Sequence, residues 1–244
     1  MSARPKLAIH AGLDEVSKAA ADELVALARA TDKPFHVALS GGSTPKKMFE
    51  LLAARGKTAA PWERIHLWWG DERCVPPDHA DSNFGMTKRA LIDPLALAAS
   101  NVHRIRGEDA PERAAGDYEQ ELVGALGAPP VFDLVLLGMG PDGHTASLFP
   151  NSAALAETKR YVVANAVDSP LTKGKATRIT LTAPAFARAR HTRFLAAGAD
   201  KAATLAAVLD GPAGKFPSQL ITGGDLVWVV DRAAAAQLGT RGED

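Results

Sequence analysis

The sequence predicts an α/β fold in which helices cover both faces of a β-sheet. Apolar, strand-like segments alternate with helix-like segments along the whole 244-residue chain, and this alternation is typical of strands joined by helical crossovers. The most apolar segment, residues 132–138 with the sequence FDLVLLG, has the composition of a parallel strand covered on both faces. No internal repeat or low-complexity segment interrupts the alternation.

The first part of the chain predicts two strands and two helices. Residues 6–10 and 34–39 are short apolar runs, which indicates strands. Between them, residues 13–30 carry alanine and leucine at helical spacing. A second helix is predicted over residues 44–55, because the proline at its second position loses no helical hydrogen bond in the first turn.

The middle of the chain continues the alternation. Residues 65–69 predict a third strand, and the polar residues 70–83 after it predict a loop. Helical patterns follow at residues 83–92 and 110–126, with a short strand predicted between them at residues 101–105.

The last part of the chain predicts four more strands, at residues 161–164, 178–181, 192–197 and 226–230. Composition predicts helices over residues 199–209 and 232–238. Residues 210–219 contain two prolines and two glycines, which indicates a loop. The final four residues, RGED, are expected to fray.

The composition indicates a globular protein without a disulfide framework. Hydrophobic residues make up 46% of the chain and charged residues 23%, which excludes a disordered or fibrous protein. Because 28 lysines and arginines balance 28 aspartates and glutamates, bulk electrostatic capture of nucleic acid or of an anionic membrane is not predicted. The single cysteine, Cys74, fits a reducing compartment. No signal peptide or membrane span is visible. We therefore expect one cytoplasmic domain over residues 1–244, monomeric rather than oligomeric.

Three loops that follow predicted strands are rich in small or polar residues. They begin after Leu39, after Trp69 and after Gly138. Ligands of open α/β sheets bind beyond the carboxyl ends of the strands. The chemistry of this protein is therefore expected in these three loops.

The first loop, Ser40-Gly41-Gly42-Ser43, joins a strand to a helix. Its small side chains leave backbone N–H groups uncovered, and the helix start adds partial positive charge. This combination predicts an anion site that fits a phosphate, and an ordinary capped turn is the alternative. The Gly-x4-Gly-Lys spacing of a nucleoside-triphosphate P-loop is missing.

The second loop places three charged residues, Asp71, Glu72 and Arg73, directly after a strand. Charges at the carboxyl edge of a sheet can face a ligand, and a solvated turn is the alternative interpretation. Cys74 follows without a base positioned beside it in sequence, so we interpret it as an ordinary thiol.

The third loop contains Gly-x-Gly-x-x-Gly after a strand, which raises a dinucleotide-binding alternative. Three features oppose it: Asp142 would lie beside a pyrophosphate, Pro141 removes a backbone donor, and Pro150 precludes a long helix. The loop instead predicts an acid–base pair, because the Asp142 carboxylate can orient the imidazole of His144, which can take a proton from water.

Metal and serine-nucleophile chemistry are not predicted. No pair of histidines has metal-ligand spacing, and one cysteine cannot build a thiolate site. The Gly-x-Ser-x-Gly motif of a nucleophilic serine is also missing.

The three loops, in this order, resemble the 6-phosphogluconolactonase family. The matching stretches are SGGSTP (40–45), WWGDERCVPPDHADSN (68–83), GMGPDGHTASLFP (138–150), RITLT (178–182) and GADKA (198–202). Together they cover nearly the whole chain and are far more specific than any one of them. The resemblance implies a three-layer α/β/α sandwich with a mostly parallel, Rossmann-like sheet, similar to glucosamine-6-phosphate deaminase and ribose-5-phosphate isomerase.

The resemblance also implies an activity, the hydrolysis of 6-phospho-D-glucono-1,5-lactone in the oxidative pentose phosphate pathway, without a metal or organic cofactor. By its analogy, His144 is the general base that activates water, and Asp142 and Asp71 orient it. Arg73 holds the substrate and offsets charge on the lactone oxygen. The implied phosphate-binding residues are Ser40, Gly41, Gly42, Ser43, Arg178 and Lys201.

Two other functions are compatible with the same fold. Glucosamine-6-phosphate deaminases share the Asp-Gly-His element but carry a glutamate five residues after the histidine, where this chain has Phe149. A non-catalytic sugar-phosphate sensor is the second alternative. Such sensors usually carry a DNA-binding domain, for which we expect neither room nor charge here, and tend to lose the catalytic residues that this sequence keeps.

Overall fold

Two β-sheets organise the chain, whose computed structural model describes residues 5–172 and 174–239. Their strands are β1 (Lys6–His10), β2 (Phe35–Leu39), β3 (Ile65–Trp69), β4 (Asp71–Arg73), β5 (Val102–His103), β6 (Leu134–Gly138), β7 (Val162–Ser169), β8 (Gly174–Leu181), β9 (His191–Ala196) and β10 (Asp225–Asp231). The α-helices are α1 (Leu13–Arg29), α2 (Ser43–Ala54), α3 (Asn83–Thr87), α4 (Asp93–Leu95), α5 (Pro111–Leu126), α6 (Ala183–Phe186) and α7 (Ala202–Leu209).

The larger sheet contains seven parallel strands in the order β1-β10-β9-β6-β2-β3-β5. Strand β6 lies at its centre, between β9 and β2. The side chains of Leu134, Val135, Leu136 and Leu137 are all buried. A strand covered on both faces must be apolar at successive positions, so the predicted parallel, doubly covered strand is confirmed.

The connections reverse direction between two neighbouring strands of this sheet. From β2 the chain steps to β3 and β5 toward one edge, whereas from β6 it steps to β9 and β10 toward the other. Because parallel crossovers are right-handed, the helices of the two halves, α2 and α7 among them, lie on opposite faces. Such a reversal opens a crevice beyond the carboxyl ends of β2 and β6, where ligands of α/β proteins bind.

Helix α1 shows how the covering helices are held. It buries Val16, Ala20, Leu24 and Ala28, which recur every four residues and so form one face of the helix. This face contacts β9 and β10. Each fully buried leucine or valine side chain contributes about 1.5–3 kcal/mol, so packing on the sheet, rather than intrinsic propensity, fixes the helix.

The smaller sheet is antiparallel, in the order β4-β8-β7, and the sequence predicted only part of it. The segment predicted as a loop after β3 begins with strand β4, and the predicted strands 161–164 and 178–181 extend to eight residues each in β7 and β8. In β7 only Val162, Asn165 and Val167 are buried, and in β8 only the last three residues, Ile179–Leu181, are buried. A search for apolar runs therefore shortens both strands, because their remaining positions are exposed or only partly buried and several of them are polar.

Two helix predictions need correction. Residues 83–92 are not one α-helix, because α3 passes into a π-turn at Lys88–Ile92. Residues 232–238 form turns rather than a helix. Their composition favours a helix, but the first helical turn is costly to form, and a segment of seven residues adds few hydrogen bonds beyond it. The Asp231 carboxylate instead holds a turn by accepting a hydrogen bond from the Ala234 N–H at 2.7 Å.

The predicted fraying of residues 241–244 lies outside the described residues. No helix in the described ranges is both long and apolar enough to cross a membrane.

A ladder of histidines crosses β2, β3 and β5 on one face of the large sheet. His36 stacks on His66 with ring centroids 4.8 Å apart, and His66 shares a 3.0 Å hydrogen bond with His103. The Trp68 indole N–H donates to His36 Nδ1 at 3.2 Å, and Glu121 bonds His103 at 2.6 Å. Burial, with added repulsion from His66 and His103, lowers the pKa of His36 from 6.5 to about 4.

Acid is therefore expected to destabilise the fold through His36. Its pKa is lower in the folded state than in the unfolded state, so the unfolded chain binds more protons between pH 6.5 and about 4. Stability contributed by neutral His36 is present above this window and is lost as the pH falls through it. We expect the free energy of unfolding to fall by about 1–2 kcal/mol more in the native chain than in His36→Gln, after allowance for partial exposure.

Urea denaturation at several pH values between 7 and 4 measures this difference. His79→Gln is the matched control, because the His79 side chain is 47% exposed. The control should keep the pH dependence of the native chain. Equal pH dependence in His36→Gln and the native chain would show that His36 is not held neutral by the fold.

Candidate active site

The crevice beyond β2 and β6 is a cleft that brings together residues from all three loops. Ten residues were predicted for the site, and eight of them line this cleft: Ser40, Gly41, Gly42, Asp71, Arg73, His144, Arg178 and Lys201. Asp142 lies behind His144, to which it is hydrogen-bonded. Ser43 begins α2 and lines an adjacent groove instead, together with Lys46 and Arg89.

His144 is held in one orientation by its own loop. Its Nδ1 lies 2.6 Å from Asp142 Oδ1, and its backbone N–H donates to the same oxygen at 3.1 Å. The imidazole stacks on the Phe149 ring with centroids 4.1 Å apart and an interplanar angle of 20°. A Cβ at Gly140 would lie 2.1 Å from the His144 ring. Glycine at position 140 therefore makes room for the ring.

The hydrogen bond to Asp142 fixes which nitrogen of His144 can act as a base. An ionised carboxylate can only accept, so Nδ1–H donates to Asp142, and in the neutral imidazole the lone pair is on Nε2. Nε2 has no hydrogen-bond partner in the described part of the chain. Burial alone would raise the pKa of Asp142, but the hydrogen bonds and charge of His144 outweigh it and keep that pKa below its usual value. The carboxylate therefore stays ionised and able to accept the Nδ1 proton.

Asp71 has a different set of partners from the one expected. Its carboxylate accepts hydrogen bonds from Ser147 Oγ at 2.6 Å and from Asn83 Nδ2 at 3.2 Å. Among the described residues it makes no hydrogen bond with His144. Asp71 is 7% exposed and reaches the cleft from the start of β4. The geometry thus assigns the orientation of His144 to Asp142, and joins Asp71 to the loop that carries His144 through Ser147.

Two arginines lie side by side on neighbouring strands of the small antiparallel sheet. Arg73 of β4 is paired in register with Arg178 of β8, so both side chains project from the same face. Neither guanidinium has an ion-pair partner within residues 5–172 and 174–239, although Arg73 Nη1 donates to the Asp81 carbonyl. Burial lowers the pKa of Arg178, and the charge of Arg73 lowers it further. Like charges directly opposite are destabilising, so an anion bound between them would relieve the repulsion.

Residues 40–42, which we call the anion turn, lead from β2 into α2. The Ser40 side chain is 5% exposed, and its buried Oγ has no hydrogen-bond partner among the described residues. Gly42 has a φ of +106°, which favours glycine, and it directly precedes the twelve-residue helix α2. The helix dipole and an unpaired hydroxyl in a cleft form a site suited to a phosphate oxygen.

Lys201 approaches the cleft from the start of α7. Gly198, with a φ of +104°, turns the chain after β9, and its N–H donates to the Asp231 carboxylate at 3.1 Å. The Lys201 ammonium lies 3.1 Å from Asp200, and its side chain is 23% exposed. A partly buried cation on a tightly held turn can reach an anion in the cleft at little further cost in side-chain entropy.

Three buried polar residues around this site were not among the ten predicted site residues. Glu72 accepts hydrogen bonds from the backbone N–H groups of Asn83 and Phe84 and from Ser82 Oγ, at 2.7–3.0 Å. Burial raises the pKa of Glu72, although the backbone hydrogen bonds oppose this shift. The segment after β3 is therefore held by buried hydrogen bonds and is not a solvated turn. Asn83 and Ser147 are the other two, and neither was assigned a role because their partner, Asp71, is a neighbour only in space.

The described residues contain no group of three or more histidine, cysteine, aspartate or glutamate side chains that could hold a metal ion.

Comparison with known proteins relates the chain to one family. Residues 11–228 match the family described as glucosamine-6-phosphate isomerases/6-phosphogluconolactonase. A 6-phosphogluconolactonase of Nostoc sp. is 43% identical over 213 residues, which cover 84% of this chain and 85% of that protein. The structure of 6-phosphogluconolactonase from Trypanosoma cruzi is similar with a TM-score of 0.86 at 31% identity, covering 98% of this chain and 99% of that one. A monomeric glucosamine-6-phosphate deaminase, 20% identical, has the same fold with a TM-score of 0.82, covering 95% of this chain and 99% of that one.

Proposed function

The chain belongs to the family of glucosamine-6-phosphate isomerases and 6-phosphogluconolactonases, and we propose on this basis that it hydrolyses 6-phospho-D-glucono-1,5-lactone to 6-phospho-D-gluconate. This reaction is the second step of the oxidative pentose phosphate pathway. Relatives that are 36–43% identical carry the name 6-phosphogluconolactonase, which supports the lactonase activity. The single cysteine, Cys74, is a free thiol, which supports the cytoplasm as the place of action.

One observation carries the proposal for the site. A single cleft presents the Nε2 atom of His144, oriented by Asp142, and the two guanidinium groups of Arg73 and Arg178, which have no ion-pair partner in the described ranges. Activation of water requires an oriented base with a free lone pair, which His144 Nε2 supplies. A substrate that carries a phosphate and develops negative charge during the reaction requires positive charge, which the two guanidinium groups supply.

In the proposed mechanism, His144 Nε2 takes a proton from a water molecule as the water oxygen attacks the lactone carbonyl carbon. The carbonyl oxygen becomes negatively charged in the tetrahedral intermediate, and Arg73 offsets that charge. When the bond between this carbon and the ring oxygen breaks, the imidazolium returns the proton to the ring oxygen, which becomes a hydroxyl group. The new carboxylic acid then releases its own proton to solvent. A positioned base contributes about 10²–10⁴ in rate, which suits an activated ester.

The substrate phosphate binds at the anion turn, where Arg178 and Lys201 supply positive charge. Each charge-assisted hydrogen bond contributes about 1.5–3 kcal/mol. This remote binding energy fixes the sugar ring against His144 and lowers the entropic cost of the attack. In this assignment Ser43 contributes through the first turn of α2, because its side chain faces the adjacent groove.

The deaminase alternative is disfavoured by position 149. Deaminases of the family are expected to carry a glutamate there to help open the sugar ring. Phe149 instead stacks on the His144 imidazole and has no proton to exchange. The stack also removes one face of the imidazole from water, which suits a base that works on a single bound water molecule.

A stopped-flow assay with freshly generated 6-phosphogluconolactone tests the proposal. Hydrolysis should exceed the spontaneous rate in proportion to enzyme concentration, and glucosamine 6-phosphate should release no ammonia. Ammonia release without lactone hydrolysis would replace the lactonase by the deaminase. Tight binding of a sugar phosphate with neither reaction would indicate a sensor.

Arg178→Ala is expected to weaken phosphate recognition more than chemistry. Loss of one or two charge-assisted hydrogen bonds should raise KM for the lactone and Ki for inorganic phosphate by about 10–100-fold, with kcat changed less than about fivefold. Arg113→Ala is the control, because the Arg113 side chain is 73% exposed and pairs with Asp117 on α5. An unchanged Ki in Arg178→Ala would move the phosphate away from this arginine.

A further inference from the structure

Asn83 occupies the junction between the anion turn and the second loop. It is the first residue of α3, is 3% exposed, and lines the cleft. Its backbone N–H donates to Glu72 Oε1 at 2.7 Å, and its carbonyl oxygen accepts from Thr87 Oγ1 at 3.0 Å. The backbone of Asn83 is therefore fixed independently of its side-chain contacts.

The side chain of Asn83 reaches Asp71 with its amide nitrogen. Nδ2 donates to the Asp71 backbone carbonyl at 3.0 Å and to Asp71 Oδ1 at 3.2 Å. Asp71 Oδ2 accepts from Ser147 Oγ at 2.6 Å, and Ser147 follows His144 by three residues in the third loop. The orientation of the Asp71 carboxylate is thus set by one donor at the end of the second loop and one from the third loop.

The oxygen end of the same amide lies against the anion turn. A Cβ built on Gly41 would lie 2.0 Å from Asn83 Oδ1 and 2.7 Å from Asn83 Cγ. Real Cβ atoms do not approach other atoms so closely, so the Asn83 amide occupies the space that any side chain at position 41 would need. Glycine at 41 permits this contact between the turn and the amide.

We propose that Asn83 is a positioning residue that locks the anion turn to the Asp71 carboxylate and so sets the distance between the bound phosphate and the reacting carbonyl. This inference rests on the proposed function. A substrate fixed at its phosphate end reacts only if that end is held at the correct distance from the base, and a misplacement of about 1 Å can lower the rate about 10²-fold. Asn83 fixes this distance without contacting the reacting atoms.

The first experiment compares Asn83→Ala with Asn101→Ala. Asn101 is also buried and loses two Nδ2 hydrogen bonds, to the carbonyls of Trp62 and Glu63, but it lies outside the cleft. Both variants should lower Tm. Only Asn83→Ala should raise Ki for inorganic phosphate and KM for the lactone, by about tenfold or more, and lower kcat by about 10-fold or more. Equal kinetic constants in both variants would reduce Asn83 to a structural residue and overturn the proposal.

The second experiment is a double-mutant cycle with Gly41→Ala, read as the affinity for inorganic phosphate by calorimetry. Gly41→Ala should weaken phosphate binding about tenfold or more in the native chain and less than about threefold in Asn83→Ala, where the amide no longer opposes the new methyl group. Asn83→Leu keeps a branched side chain of similar size without adding charge beside Asp71, so Gly41→Ala should remain as costly there as in the native chain. An equal cost in all three backgrounds would contradict the lock.

The two proposals fail in different ways. If the native chain does not hydrolyse the lactone, the proposed function is wrong, yet the calorimetric cycle still reports whether Asn83 controls the anion turn. If the native chain hydrolyses the lactone and the cycle shows no coupling, the function stands and the role of Asn83 is wrong.

Discussion

His144→Ala is expected to lower kcat for lactone hydrolysis by at least about 10² while changing Ki for inorganic phosphate less than about threefold. The variant removes the Nε2 lone pair that accepts the water proton, but leaves the anion turn, Arg178 and Lys201 in place. The remaining rate should come from orientation and from charge stabilisation by Arg73. Single-turnover kinetics with correction for spontaneous hydrolysis separates this chemical effect from binding.

His10→Ala provides the matched control for this loss. His10 ends the edge strand β1 and lies outside the cleft, so the same change of side chain there should leave kcat and Ki unaltered. Turnover that persists in His144→Ala would remove the imidazole from its proposed role. Loss of phosphate binding together with turnover would mean that the substitution had disrupted the loop, and the variant His144→Gln would then be needed to retest the base.

Part of the candidate site could be predicted from sequence because it is local, whereas Arg178 and Lys201 were implied only by the family resemblance. The anion turn follows β2 directly, and Asp142 and His144 lie two residues apart after β6. A strand followed by glycines, or a carboxylate close to a histidine, can be recognised within a stretch of a few residues. The rule that ligands bind beyond the carboxyl ends of parallel strands then indicated one common location.

The order of the strands could not be predicted in this way. Strands β2 and β6 are neighbours in the sheet although about a hundred residues separate them, and their adjacency creates the crevice. Strand pairing depends on how helices cover the two faces, and alternating apolar segments do not encode which strands meet. The resemblance to a known family implied a mostly parallel, Rossmann-like sheet but not this strand order, and the spacing of the residues did not give the order either.

The side-chain contacts that complete the site are harder to predict from sequence. Arg73 and Arg178 lie side by side only because β4 and β8 pair in one register. Strand β4 itself lies in a segment whose composition predicts a loop. Ser147 and Asn83 both bond Asp71, and neither has a sequence feature that marks it. Such residues are identified by asking which side chains satisfy the buried polar atoms of the site. Burial of a polar atom is a property of the folded chain and is not visible in the sequence.

Asp142→Asn should lower kcat by about 10²–10⁴, close to the effect of losing His144 itself. An asparagine at 142 can donate an amide N–H to Nδ1 of His144, which moves the ring proton to Nε2. The imidazole then presents a donor to the water and cannot accept its proton. The size and packing of the side chain change little, so stability and phosphate affinity should be nearly kept.

The decisive measurement is the double variant Asp142→Asn/His144→Ala. If Asp142 acts only through His144, the double variant should be no slower than His144→Ala, because residues that act as a unit are strongly non-additive. Asp168→Asn is the charge-matched control, since Asp168 lies on β7 and borders the same groove as Asp142, outside the cleft. A multiplicative loss in the double variant would show that the Asp142 carboxylate acts on the substrate or the water directly, and the orienting role inferred from its 2.6 Å contact with Nδ1 would then be incomplete.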